Sequence, residues 1–194
     1  MKKHGLAIFA SGNGSNAEEI MRYFSNHPSI EVKLVFTNNA SAGVLERARR
    51  FDVHSVVFDR ATFNDQARFL KGLNEAGVTH IVLAGFLWLV PGYLIEAYRD
   101  RIVNIHPALL PLYGGKGMYG MKVHDAVRAA GEKETGITIH VVNEHYDEGR
   151  ILFQARCTVD EGCTSEDIAG KVHALEYAHY PRVIEEWITE GASS

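Results

Sequence analysis

Short apolar runs separated by amphipathic stretches recur along most of this chain, and that alternation restricts it to folds that bury a sheet between helices. Leu6–Ala10, Val32–Thr37, His54–Val57, His80–Ala84 and Ile102–His106 read as strands. Asn16–Phe24, Ala42–Phe51, Phe63–Ala76, Gly92–Tyr98 and Val123–Ala130 carry helical spacing, and Gly77 fits the position just past a helix end. After Gly136 the pattern changes to two strand-like runs, Ile137–Val142 and Ile151–Val159, joined by the turn-prone Glu144–Arg150. The expected fold is therefore α/β: one doubly wound, mostly parallel sheet with helices on both faces and an antiparallel edge pair near the C-terminus. A last helix, Ser165 to about Glu190, opens with the capping-box spacing of Thr164 and Asp167 or Ser165 and Glu166, and Pro181 is expected to kink or interrupt it. With 194 residues, 46% of them hydrophobic, the chain can fill one core, and residues 1–194 are expected to form a single domain.

Charge and cysteine content narrow the function classes. A formal net charge of −4 with dispersed Lys and Arg gives no footprint for nucleic acid or an anionic membrane, so small molecules are the expected partners. Leu6–Ala10 is too short for the apolar core of a signal peptide, and no run approaches a membrane span. Cys157 and Cys163 are too few for a disulfide framework or a zinc site; they read as reduced thiols of a cytoplasmic protein, Cys157 packed on a strand.

Three stretches carry chemistry. Asn104-Ile105-His106-Pro107 places an amide and an imidazole two residues apart at a strand end, hence on one side of the strand, where both can address one developing oxyanion. The alternative is a polar pair capping the strand. Ser11-Gly12-Asn13-Gly14-Ser15-Asn16-Ala17 follows a strand and opens a helix with the spacing of a dinucleotide fingerprint. Thr37-Asn38-Asn39 stands where that fingerprint needs a ribose-binding acid, so nicotinamide binding is disfavoured and a phosphate monoester suits the turn better. A Gly-rich turn needed only for its backbone shape is the alternative. Asp147, between the two edge strands, is by itself ordinary turn chemistry.

The neighbours of Asp147 change that reading. Gly136-Ile-Thr-Ile-His140-Val-Val-Asn143-Glu144-His-Tyr-Asp147-Glu-Gly149 resembles the signature of the phosphoribosylglycinamide formyltransferase family, also called glycinamide ribonucleotide transformylases. Ser11–Asn16, Leu83-Ala84-Gly85-Phe86, Asn104–Pro111 and Glu176-Tyr-Ala-His-Tyr180-Pro181 agree with it in order and spacing, so the resemblance runs from Ala7 to Ile188.

The resemblance implies attack of the amine of glycinamide ribonucleotide on the formyl carbon of 10-formyltetrahydrofolate, the cosubstrate, in purine synthesis, with no metal. His106 would be the general acid and, with Asn104, would donate to the oxyanion; Asp147 would hold His106 protonated and help relay the proton leaving the amine. Gly12, Asn13, Gly14, Ser15 and Asn16 would cradle the ribonucleotide phosphate, with His173 and Glu176 meeting the ribose or the glycyl ammonium. Phe86, Leu87, Trp88, Leu89, Val90, Gln66, Asn143 and Glu144, with Asn104 and Asp147, would form the folate site, and His140 would support it. Glu176 is otherwise an ordinary helical carboxylate, Leu87–Val90 ordinary core and His140 a satisfied core histidine. A monomer or weak homodimer is expected.

The chain departs from the family pattern at three places: the Gly-rich segment Gly114–Gly120 after the catalytic pair, Gln66 where some members carry an Arg near the folate tail, and His173 where some carry Gln. A methionyl-tRNA formyltransferase would need a basic tRNA-binding domain and a formyltetrahydrofolate hydrolase a regulatory one. A non-catalytic folate or nucleotide module would not need Asn104, His106 and Asp147 together, and a nicotinamide dehydrogenase is opposed by Asn38.

Overall fold

The computed structural model describes residues 3–191; Met1 and Lys2 of the basic start and the last three residues lie outside the described residues. Seven strands form one sheet in the order β3-β2-β1-β4-β5-β6-β7: β1 (His4–Phe9), β2 (Ile30–Thr37), β3 (Ser55–Val57), β4 (His80–Leu83), β5 (Ile102–His106), β6 (Glu134–Val141) and β7 (Ile151–Thr158). The first five are parallel, and β5-β6-β7 pair antiparallel at one edge, as the apolar pattern predicts.

Residue parity along the strands sorts the core into two layers. Leu6 and Ile8 of β1 and Val82 of β4 face a cluster with Ile20, Val44, Val127 and Ile184, which belong to α1 (Ser15–Phe24), α2 (Val44–Arg50), α6 (Met121–Ala129) and α7 (Ser165–Gly191). Ala7, Phe9, Ile81 and Leu83 face the opposite cluster with Phe63, Phe69 and Leu94, from α3 (Arg60–Asn64), α4 (Gln66–Glu75) and α5 (Gly92–Ala97). Gly77 ends α4 with φ 73°; its N–H donates to Asn74 O and that of Val78 to Leu73 O, the paired closure of a Schellman cap.

Two expectations need correction. The single helix expected over Phe63–Ala76 is two helices, because the Asp65 side chain accepts from Arg68 N at 3.1 Å and starts a new helix there, as Asp59 does for α3 through Thr62 N at 2.8 Å. Pro181 lies inside α7, which runs from Ser165 to Gly191, so the interruption offered as one of its two expected effects does not occur. Tyr180, Val183, Ile184 and Ile188 are buried around it, and side-chain burial of roughly 1.5–3 kcal/mol each exceeds the ~3 kcal/mol that Pro costs in a helix interior. The capping box is present, Thr164 N donating to Asp167 Oδ2 at 2.9 Å and Asp167 N to Thr164 Oγ1 at 3.1 Å.

Candidate active site

The strand order reverses between β1 and β4, so the connections leaving their carboxyl ends diverge and open a crevice. A cleft of about 720 Å³ lies there, extending over β5. It is lined by Gly12–Asn16, Phe86–Val90, Asn104, His106, His140, Asn143, Asp147, His173 and Glu176, which brings together nearly all the residues singled out from the sequence.

Antiparallel pairing sets the central geometry. Asn104 on β5 stands opposite His140 on β6, and His106 opposite Thr138. Residues directly opposite share a face at close range, so the Asn104 amide meets the His140 ring, Nδ2 to Nε2 at 3.1 Å. His140 Nδ1 lies 3.2 Å from Val141 O, which fixes the ring's orientation. Asp147 enters from the β6–β7 turn with φ 57°, left-handed for a non-glycine residue. Its carboxylate places Oδ2 3.6 Å from His106 Nδ1 and Oδ1 3.6 Å from His140 Nε2, and it accepts the Gly115 N–H at 2.8 Å. Thr138, fully buried, donates to Ala108 O at 2.7 Å and accepts from Leu110 N at 2.9 Å, so the chain leaving His106 has one path.

Electrostatics correct one expectation. His106 is 4% exposed, and burial pushes its imidazole below the usual value; Asp147 and the Tyr113 carbonyl oppose that push without overcoming it, and His140 adds to it. That direction favours the neutral ring in the free site, against the expectation that Asp147 holds it protonated, and Nε2 donates to Tyr113 O at 2.7 Å. Asp147 is raised by burial, but His140, His106 and the Gly115 N–H bring it below the usual carboxylate value, so it stays ionised.

At the other end of the cleft, Asn16 donates from Nδ2 to Glu176 Oε2 at 2.8 Å. Glu176 is 5% exposed, and burial raises its carboxyl against the opposing effects of Asn16 and His173. Asn16 Oδ1 is buried without a protein partner among the described residues. Gly14 caps α1 with φ 77°, and a Cβ there would come within 2.5 Å of Val44 Cβ, so backbone shape and close approach both require glycine. The Ser11 hydroxyl accepts from Leu87 N at 3.0 Å and ties this turn to the apolar segment. Leu87 and Leu89 are about half exposed on the cleft, whereas Trp88 is half-buried against Phe58, Phe63 and Phe86 with the Arg60 guanidinium over its ring.

Two expected folate residues lie elsewhere. Gln66 opens α4, exposed and outside the cleft lining, because Asp65 restarts the helix just before it. Glu144 is exposed with its carboxylate 3.8 Å from Arg99, turned away from the lining. Sequence reasoning missed His124, which lines the cleft from α6 with its ring 6.5 Å from that of His173 and its Nδ1 buried without a protein partner among the described residues. It also left open the use of Gly114–Gly120, whose residues Gly115–Gly120 form one wall of the cleft. No motif marks His124; its helical neighbours Val123 and Val127 point the same way by 3.6-residue spacing, a signal that reads as core.

Comparison with known proteins agrees with this geometry. Residues 4–184 match the family described as formyl transferase. The chain is 40% identical over 189 residues to the chloroplastic phosphoribosylglycinamide formyltransferase of Arabidopsis thaliana, covering 94% of this chain and 65% of that one. It is 37% identical over 191 residues to the phosphoribosylglycinamide formyltransferase of Bacillus subtilis, covering 96% and 94%. The plant proteins are longer, and the chain spans only 65% and 61% of the two relatives from Arabidopsis thaliana and Vigna unguiculata. Among solved structures, the phosphoribosylglycinamide formyltransferase of Streptococcus pneumoniae superposes with a TM-score of 0.84 at 34% identity, covering 97% of this chain and 99% of that one. That of Anaplasma phagocytophilum gives 0.86 at 31%, covering 94% and 86%. A family match across almost the whole length, joined to an Asn-His-Asp constellation at the switch point of the sheet, settles the affiliation: this chain belongs to the formyl transferase family.

Proposed function

We propose that the protein transfers the formyl group of 10-formyltetrahydrofolate to the amine of glycinamide ribonucleotide, the reaction in keeping with the phosphoribosylglycinamide formyltransferases it is similar to. The observation that carries this reading is the meeting of Asn104, His106, His140 and Asp147 in one network, in the same cleft as the phosphate-type turn Gly12–Asn16 and the buried Glu176.

Attack of the amine nitrogen on the formyl carbon makes a C–N bond and puts negative charge on the formyl oxygen. The Asn104 amide, oriented by His140, supplies a donor for that charge, and removing such a donor typically costs ~2.7–4 kcal/mol; His106 adds its own charge only once it has taken up the travelling proton. The attacking nitrogen must lose a proton, and the bond from the formyl carbon to the folate nitrogen must break with a proton returned to that nitrogen. A neutral His106 beside an ionised Asp147 is a seat for the travelling proton: it collects the proton as the oxyanion forms and gives it up as the intermediate collapses to formamide and tetrahydrofolate. The attacking group belongs to the substrate, so no covalent enzyme intermediate forms, and no step calls on a metal.

The ribonucleotide phosphate sits against Gly14, Ser15 and Asn16 at the start of α1, where backbone N–H groups and the helix dipole favour an anion, beside Gly12 and Asn13. Asn16, Glu176 and His173 meet the ribose hydroxyls or the amine, and His124 lines the cleft beside His173. The folate occupies the apolar wall from Phe86 to Val90, with Asn143 at its edge. A monomer or weak homodimer in a cytoplasmic setting is the accompanying proposal, in keeping with the free thiols of Cys157 and Cys163.

A spectrophotometric assay with purified protein and both substrates tests the proposal. Tetrahydrofolate formation that depends on glycinamide ribonucleotide is the expected result. Formate release without the amine acceptor would point to a hydrolase and overturn it.

A further inference from the structure

The turn that meets the phosphate is gripped from outside the cleft by the neighbouring helix. Arg47 of α2 donates from Nε to the Asn13 carbonyl at 2.7 Å and from one terminal nitrogen to Asn13 Oδ1 at 3.2 Å. Its other terminal nitrogen pairs with Glu18, the acidic residue in the first turn of α1. The start of α2 touches the same turn twice more. Val44 N donates to Gly12 O at 3.2 Å, and Gly43 lies so close that a Cβ there would stand 2.9 Å from Asn13 Oδ1.

This arrangement answers two physical problems. A turn that offers its N–H groups to an anion has little internal hydrogen bonding to hold its shape, and α1 receives no side-chain cap from Gly14. In addition, a carboxylate in the first turn repels a phosphate at the same helix end. Arg22 and Arg50 also approach Glu18, at 3.3 and 3.6 Å, but their side chains are 59% and 50% exposed, against 20% for Arg47. Screening leaves exposed pairs weak, so Arg47 is the partner that counts. Its planar fork reaches a backbone oxygen, a side-chain oxygen and a carboxylate at once, which the point charge of a lysine does not reproduce.

We infer that Arg47 is a positioning residue for the phosphate-bearing substrate: it braces Asn13 so that the N–H groups of Gly14, Ser15 and Asn16 stay aimed at the phosphate, while it neutralises Glu18. The inference rests on the assignment of Gly12–Asn16 as the phosphate seat. Arg47 does not line the cleft, and its effect is specific to the acceptor that carries a phosphate.

The test uses the full chain carrying Arg47→Met together with Glu18→Gln, which removes both charges so that no partly buried carboxylate is left alone, and a second variant, Arg47→Lys. KM and kcat are measured for glycinamide ribonucleotide, for the formyl-folate and for glycinamide riboside, the acceptor without phosphate. The double variant raises the ribonucleotide KM about 10-fold with kcat held within about 2-fold, and leaves the folate KM and the riboside kcat/KM as in the wild type. Arg47→Lys, which keeps the charge but loses the fork, gives an intermediate rise. A wild-type ribonucleotide KM in the double variant, or an equal loss toward riboside and ribonucleotide, overturns the inference. A wild-type enzyme that handles the riboside as well as the ribonucleotide would instead show that the phosphate seat itself is misassigned.

Discussion

His106 Nδ1 lies 3.6 Å from Asp147 Oδ2, and the ring's other nitrogen donates to the Tyr113 carbonyl at 2.7 Å. The imidazole is thus held at Nε2, with a carboxylate near Nδ1, on the side where a second proton would sit. Asp147→Asn keeps the shape and removes the charge. Turnover is expected to fall by about 10²–10⁴, the usual worth of a positioned acid–base group, while ribonucleotide affinity measured by calorimetry stays within about 2-fold. Unchanged turnover would remove Asp147 from the chemistry.

The pH dependence follows from the neutral state of His106. Its folded value is lowered, chiefly by burial, so the free enzyme keeps the imidazole uncharged down to some point below the usual ~6.5. A group that must collect a proton is disabled when it already holds one. Thus kcat/KM, divided by the fraction of the acceptor present as free amine, is expected to be level around neutral pH and to fall on an acid limb whose midpoint lies below about 6.5. Replacing Asp147 by Asn removes a favourable charge and shifts that limb further toward acid. A midpoint above the usual histidine value in the wild type would contradict the assignment.

Stability has its own pH signature, at the far end of the sheet. His80 is pushed down to about 4, first by burial and then by His4 and Arg101. In the unfolded chain its pKa is near 6.5, so between about 6.5 and about 4 the unfolded state binds more protons than the folded one. Stability therefore drops as pH falls through that window. Urea unfolding midpoints measured from pH 7 to pH 4 should decline, and His80→Asn should flatten part of the slope even if it lowers the absolute value through lost contact with Trp187. An unchanged slope would exclude His80 as a source.

Tyr180 joins α7 to the two strands that carry the cleft: its hydroxyl donates to Leu83 O at 2.9 Å and lies 3.3 Å from Val103 O, in full burial. Tyr180→Phe leaves these carbonyls one donor short, at a cost of about 1–3 kcal/mol. For a chain of this size that is roughly 2–4 °C in melting temperature per kcal/mol, readable by calorimetry. The folate KM should stay near the wild-type value, because Phe86–Val90 is held separately through Ser11 and Leu87.

Much of the fold was legible because parallel strands buried on both faces leave uninterrupted apolar runs, and Ile102–His106 is observed with the same ends that its composition suggests. Local chemistry at Thr164 and Asp167 or at Gly77 is equally readable, since caps depend on neighbours in sequence. Pro181 misleads for the converse reason: a local penalty is outweighed by side chains that meet only in the folded molecule. Within the site, Asn104, His106 and Asp147 could be picked out by motif and family resemblance. The neutral state of His106 could not, as it depends on burial set by β6 and the segment after Pro107. His124 and Arg47 escaped for a similar reason, one looking like core and the other like an ordinary basic residue on a helix surface.

The bond between Asn16 and Glu176 joins residues 160 positions apart. Synthesis runs from the N-terminus at about 5–20 residues per second, so a growing chain exposes its Gly-rich turn on the order of ten seconds before the matching carboxylate exists. Through that interval the turn lacks its partner and Asn104 and His106 wait for the carboxylate, since β6 and Asp147 also arrive late. Translation itself thus acts as a timer, and the cleft is complete only once the closing helix has left the ribosome.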